Sequence, residues 1–346
     1  MSKSILFSEI CEQPKVIQEL LSNETKHIEK ICKDISGKFK YIVVAARGTS
    51  DNAARYAQYV FGIQNRIQVA LATPSLFTIY HTPPDLRGAL VIGISQSGES
   101  PDIISVLNEA HLQNCITIGI TNCENSPLAK SSDFAVFLNA GPEKATAATK
   151  TYTSSLCALG LISASLNADS KSIDQINKMP AIMKETIDLQ SQVFSEIQRY
   201  RYAEQFTVIG RGYNYSTAFE IALKIKELNQ IITEPYSSAD FRHGPIAMIH
   251  HGTPILVIAP KDKISPDIHD LISKLKEKGG EIMVISNEMN TLVKGKLRFP
   301  LPADIPEWLT PMAAVIPGQL FAMHLAVEKG LEADNPLGIT KITRTY

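Results

Sequence analysis

Six runs of Val, Ile, Leu and Ala mark the chain: YIVVA (41–45), ALVIGI (89–94), CITIGIT (115–121), FTVIG (206–210), PILVI (254–258) and EIMVIS (281–286). Their apolar residues are continuous rather than alternating, the pattern of strands buried on both faces of a parallel sheet. Helical periodicity follows several of them, over Asp51–Phe61, Asp102–Leu112 and Ser216–Ile231. A shift of about 165 residues lays the last three runs on the first three, and the leading run of each set passes through an Arg-Gly turn into its helix. Each half therefore reads β-α-β-α-β. The expected fold class is α/β, one module used twice, each with a parallel sheet flanked by helices in three layers (α-β-α). Crossovers in such sheets are right-handed and ligands gather at the carboxyl ends of the strands, so function is expected in the turns that follow them.

The pattern divides the chain into an N-terminal helical segment (1–36), a first domain (37–168), a helical linker (169–204), a second domain (205–330) and a tail (331–346). Two domains also suit the length of 346 residues. Charge is balanced, 34 Lys plus Arg against 35 Asp plus Glu, without blocks of one sign, so nucleic acid is not an expected partner. No apolar stretch reaches the ~18 uninterrupted residues of a membrane span, and the first residues lack a leader pattern; a cytoplasmic protein without membrane contact is expected. Cys11, Cys32, Cys115, Cys123 and Cys157 show no CxxC or Cys/His ligand spacing and read as buried thiols in a reducing compartment. His250 and His251 read as surface residues; neither a metal nor an organic cofactor is expected.

The second run leads into Ser95-Gln96-Ser97-Gly98-Glu99-Ser100, then Pro101 and a helix. Hydroxyls, an amide and backbone N–H groups converging on a helix N-terminus suit a phosphate. A serine-rich helix cap would leave the same trace. Residues 93–100 match a Walker A spacing except that Glu99 stands in place of lysine, which argues against a nucleotide triphosphatase. Gly48-Thr49-Ser50 closes the first run and can bring further hydroxyls to the same sheet edge.

Glu220, Lys224 and Glu227 fall at i, i+4 and i+7 of the Ser216–Ile231 helix, on one stripe about 60° wide. Such a stripe is commonly a solvated face with an ion pair. Here Phe219 and Leu223 border it on one side and Ile221 and Leu228 on the other, while Lys226 and Asn229 offer a separate edge to solvent. A cleft is therefore expected, with carboxylates and an ammonium arranged for proton transfer. His243, in the polar segment Asp240–Pro245, can serve as acid or base or simply cap a turn.

Taken together, SQSGES, EKATAATK (143–150), FEIALKIKE (219–227), FRHGP (241–245) and DNPLGITKITRTY (334–346) resemble the isomerase half of glucosamine-6-phosphate synthase. They are still more similar to the stand-alone glucosamine-6-phosphate deaminases built from two sugar-isomerase (SIS) domains. The resemblance implies that Ser95, Gln96, Ser97, Ser100 and Gly48-Thr49-Ser50 hold a sugar phosphate. It implies that Glu227 moves a proton between C1 and C2, assisted by Lys224 and Glu220, and that His243, supplied by the other subunit of a homodimer, opens the ring. Lys341 in the tail would close over the site and form a Schiff base. Two positions depart from the synthases, Leu337 where they carry arginine and Ala148 where they carry serine. No N-terminal cysteine nucleophile is present, so ammonia is not expected to come from glutamine. The expected activity is an isomerising deamination of glucosamine 6-phosphate to fructose 6-phosphate. Two alternatives are a deglycase or isomerase of another phosphosugar, and a non-catalytic phosphosugar sensor.

Overall fold

The computed structural model describes residues 4–191 and 193–341. The first sheet contains β1 (Tyr41–Ala45), β2 (Val69–Leu71), β3 (Ala89–Ile94), β4 (Ile116–Thr121) and β5 (Phe134–Phe137), all parallel, in the order β2-β1-β3-β4-β5. The second contains β6 (Gln205–Gly210), β7 (Ile232–Ser237), β8 (Pro254–Ile258), β9 (Glu281–Ser286) and β10 (Leu297–Pro300), also parallel, in the order β7-β6-β8-β9-β10. The two orders are the same, so the duplication seen in the sequence extends to topology. Every residue of β3 is buried. Its Val91 meets Ile103, Val106 and Leu107 of the following helix in one core cluster; in the second sheet, Val257 and Val284 meet Ile268, Leu271 and Ile272 in the same way.

The six apolar runs are the three inner strands of each sheet. Of the four outer strands, β5 (FAVF) is a short apolar run that the six do not include, while β2, β7 and β10 leave no such trace. An edge strand pairs on one side only and can be short or carry proline. β2 is three residues long, β7 contains Pro235 and β10 ends on Pro300.

By packing, the chain forms two units. Of the described residues, one unit holds the first sheet, with Lys15–Glu143, Lys150–Lys178 and residues 340–341; the other holds the second sheet, with residues 179–191 and 193–339, Lys144–Thr149 and residues 4–14. The N-terminal helix runs Ile5–Ile35. Asp334 caps its first turn, accepting from Ser4 Oγ (2.8 Å), Ile5 N (3.0 Å) and Leu6 N (2.8 Å). Burial alone would raise this carboxyl, but those donors hold it below the ordinary range.

The helix Thr310–Glu328 is buried from Thr310 to Ala326. It is long and apolar enough to cross a membrane by composition, yet 94% of its apolar window lies inside the protein. It is a core helix against which Tyr215–Asn229 packs. The expectation of five buried thiols holds for Cys32, Cys115 and Cys157 but not for exposed Cys123, which occupies the turn after β4, or for half-buried Cys11.

His324 on this core helix is 3% exposed, and burial drives its pKa from 6.5 down to about 4. A depressed histidine favours folding fully above the unfolded value, and the contribution is lost as pH falls from about 6.5 towards the folded value. The wild-type chain should therefore lose about 2 kcal/mol from this group between pH 7.5 and 5. Urea midpoints measured across that range should fall less steeply in His324→Leu; equal slopes would contradict the assignment.

Candidate active site

The order β2-β1-β3 makes the junction of β1 and β3 a topological switch point, where two neighbouring crossovers leave in opposite directions and open a crevice. The Gly48-Thr49-Ser50 turn follows β1 and the SQSGES loop follows β3, so both predicted phosphate elements sit at this junction. Ser95 is buried and its N–H donates to Ile120 O (3.1 Å). Its Oγ accepts from Gly98 N (3.2 Å) and pairs with Ser100 Oγ (3.0 Å). Gln96, Ser97 and Ser100 are half-buried, within reach of a ligand. Gly98 has φ +66°, and a Cβ there would lie 2.3 Å from the Ser126 side chain, so no other residue fits this turn. Ser100 makes no side-chain cap of the helix Pro101–Leu112. The serine hydroxyls thus do not cap this helix; Ser95 instead closes the turn through Gly98 N.

Three ties in this unit were not visible in the sequence. Arg47 Nε, one residue before the Gly-Thr-Ser turn, donates to Asp102 Oδ2 (2.7 Å), locking that turn to the phosphate-loop helix. Asn122, just past β4, donates through its backbone to Gln96 O (3.1 Å) and through Nδ2 to Gly141 O (2.8 Å), joining the loop to the segment that leads to Glu143. Glu143 is fully buried at its side chain and pairs with Lys341 Nζ (2.9 Å), while Thr151 donates to it from N (3.2 Å) and Oγ1 (2.9 Å). The tail lysine thus has a fixed anionic partner. The tail residues after Lys341 lie outside the described residues. Leu337 is exposed and Ala148 half-buried.

In the other unit, the helix Tyr215–Asn229 carries the Glu-Lys-Glu stripe. Lys224 Nζ lies 2.6 Å from Glu227 Oε2 and 3.3 Å from Glu220 Oε1. Glu220 and Lys224 are fully buried, whereas the Glu227 side chain is 22% exposed. Burial alone would lower the Lys224 ammonium, but the Glu220 and Glu227 carboxylates outweigh it and hold the pKa above its ordinary value. The result is a permanently charged cation that fixes both carboxylates, with Glu227 the member that reaches the surface. One expectation is corrected: Asn229 is not on a solvent edge. It is buried, its Nδ2 donating to Ala322 O (2.9 Å), because the core helix Thr310–Glu328 covers that face.

His243 ends the short helix Ser238–Arg242 and is exposed, as are His250 and His251. Its neighbour Arg242 anchors the segment by ion pairs to Asp267 (3.1 Å) and Asp270 (3.2 Å). Among the described residues no cluster of His, Cys, Asp and Glu could hold a metal ion.

A family profile described as the SIS domain matches residues 38–164 and 200–329. The chain belongs to the SIS domain family. Among relatives of this double-SIS chain, the glutamine–fructose-6-phosphate aminotransferase (isomerizing) of Aquifex aeolicus is 31% identical over 98% of the chain and 57% of the relative. The enzyme of the same name from Pyrococcus horikoshii is 32% identical over 97% of the chain and 57% of the relative. The chain thus spans little more than half the length of these relatives. The C-terminal domain of glucosamine-fructose-6-phosphate aminotransferase from Francisella tularensis superposes with a TM-score of 0.87 at 26% identity, covering 96% of the chain and 98% of that structure. Glucosamine-6-phosphate deaminase from Thermotoga maritima shares the fold, with a TM-score of 0.82 at 22% identity over 99% of the chain and 100% of that structure.

The two SIS domains repeat one ion pair and differ at one loop. Arg211, after β6, pairs with Asp267 (3.0 Å) as Arg47 pairs with Asp102, and both acids follow a Ser-Pro step at a helix start. Burial alone would raise Asp267, but the Ser238 hydroxyl and the Arg211 and Arg242 guanidinium groups hold it below the ordinary range. Where the first domain has SQSGES, the second has Pro260-Lys261-Asp262-Lys263-Ile264-Ser265. A Cβ on Gly212 would lie 2.4 Å from Ile264 Cδ1, so an apolar side chain packs against the turn after β6. The duplicated scaffold therefore carries the SQSGES sequence in its first domain and a different loop at the matching place in its second.

Proposed function

We propose that this chain is a phosphosugar aldose–ketose isomerase acting as a glucosamine-6-phosphate deaminase. The observation that carries the reading is the Glu-Lys-Glu cluster: a fully buried ammonium holds one surface-reaching carboxylate, an arrangement that a phosphate-binding sensor has no need to build. Ser95, Gln96, Ser97, Ser100 and the Gly48-Thr49-Ser50 turn bind the 6-phosphate, and binding energy from that remote group orients the reacting carbons. His243 opens the ring. Glu227 removes the C2 hydrogen of the open-chain aldose as a proton and delivers it to C1, while a proton passes from the amine nitrogen to O1. The product is an imine at C2; water adds there, ammonia leaves, and fructose 6-phosphate remains. Lys224 fixes Glu227, and Glu220 balances Lys224. Lys341 must leave Glu143 and lose a proton before its amine can attack a sugar carbonyl.

The exposure of His243 supports a homodimer in which each chain lends this histidine to its partner. Incubation of the purified protein with glucosamine 6-phosphate should release ammonia and fructose 6-phosphate one to one, without glutamine. Release from another amine-linked hexose phosphate alone would move the substrate to the deglycase class. Ser97→Ala combined with Ser100→Ala should weaken fructose 6-phosphate binding by roughly 1–3 kcal/mol through lost hydrogen bonds to a charged group. Unchanged affinity by calorimetry would reject the loop as the phosphate site.

A further inference from the structure

At the amino-terminal edge of the second sheet, the turns leading into β8, β9 and β10 border a hollow of about 570 Å³. It lies at the end of these strands away from the switch point, about 20 Å along a six-residue strand. Five cationic side chains line it, Arg199, Lys276, Lys294, Lys296 and Arg298, against one carboxylate, Glu281. That carboxylate is already taken by Arg199 Nη2 (2.7 Å) and the Tyr200 hydroxyl (3.4 Å). In a chain with 34 basic and 35 acidic residues, five to one is a local concentration of charge.

Simpler roles cover only part of it. Lys276 complements the negative end of the helix Ser265–Glu277, and Lys296 and Arg298 discourage pairing at the edge strand β10. Neither role accounts for Lys294 on the same hollow, where Arg199 is already held by Glu281. Among the described residues Lys276, Lys294 and Lys296 form no ion pair. The turn amides are consumed within the fold: Gly252 N donates to Gly279 O (2.9 Å), Glu281 N to Thr253 O (2.8 Å) and Lys296 N to Ile282 O (2.7 Å). Recognition in the hollow therefore falls to side-chain cations, which select charge, and the volume lies within the range of small-molecule sites.

We propose that this hollow is a second ligand site, taking a small metabolite with two or more phosphate charges, the chemistry shared by nucleoside diphosphates and sugar bisphosphates. It is independent of the catalytic reading. The Ser97→Ala/Ser100→Ala protein, its phosphate loop disabled, is titrated calorimetrically with inorganic pyrophosphate at 0.15 M salt. One site per chain should remain. Adding Lys294→Ala/Lys296→Ala should weaken it at least about tenfold without lowering the melting temperature, and Lys276→Ala/Arg298→Ala should do the same by an independent pair. A nucleoside diphosphate and a hexose bisphosphate run alongside separate the two sources; tighter binding of either than of pyrophosphate supports the site. No residual site, binding that vanishes between low salt and 0.15 M, or affinity unchanged by either double substitution would overturn it.

Discussion

Glu227→Gln is expected to lower turnover of glucosamine 6-phosphate by at least about 10³-fold while leaving phosphosugar affinity within about tenfold. The substitution removes a proton acceptor and almost no volume. The amide can still hydrogen-bond to Lys224 Nζ, 2.6 Å away in the native chain, so the helix and its buried cation should persist. Steady-state kinetics paired with calorimetric binding of fructose 6-phosphate separates the two effects. Retention of most activity would transfer the base role elsewhere. Parallel loss of binding and turnover would mean that Glu227 holds the sugar rather than moves its proton.

Mixing two dead proteins should restore activity if His243 serves the neighbouring chain. Glu227→Gln and His243→Ala subunits, each inactive alone, would form heterodimers with one intact site and one doubly damaged site. Random exchange of equal amounts should then recover about one quarter of wild-type activity. Subunit exchange is verified by native mass measurement. A mixture that exchanges but stays inactive would place Glu227 and His243 in one site of one chain.

The interior of both sheets was legible in the sequence because parallel strands buried on both faces must be continuously apolar, and the six runs satisfy that rule. Three of the outer strands were not, since an edge strand such as Ile232–Ser237 tolerates Pro235 and need not be continuously apolar. The strand-to-helix junction at SQSGES and the Glu220/Lys224/Glu227 stripe were legible because each is local, set by chain order or by helical spacing. Arg47–Asp102 and Lys341–Glu143 were not, because they join residues 55 and 198 positions apart. Duplication offers a signal for the first: the same Arg-Gly turn and Ser-Pro-Asp step recur as Arg211-Gly212 and Ser265-Pro266-Asp267. Asn229 was misplaced for a related reason. Its polarity points to solvent, but a buried amide is tolerated when it donates to a carbonyl of a packed neighbour, here Ala322.

Hydrogen exchange at the sugar carbons tests the proposed chemistry without depending on ammonia. Fructose 6-phosphate incubated with the wild-type protein in D₂O should acquire deuterium at C1, observed by proton NMR, and Glu227→Gln should abolish the exchange while still binding the sugar. Wild-type protein that binds both sugars but neither exchanges their C1 and C2 hydrogens with solvent nor moves a C2 deuterium of labelled glucosamine 6-phosphate to C1 would contradict an isomerase, and would make this chain a phosphosugar-binding protein instead.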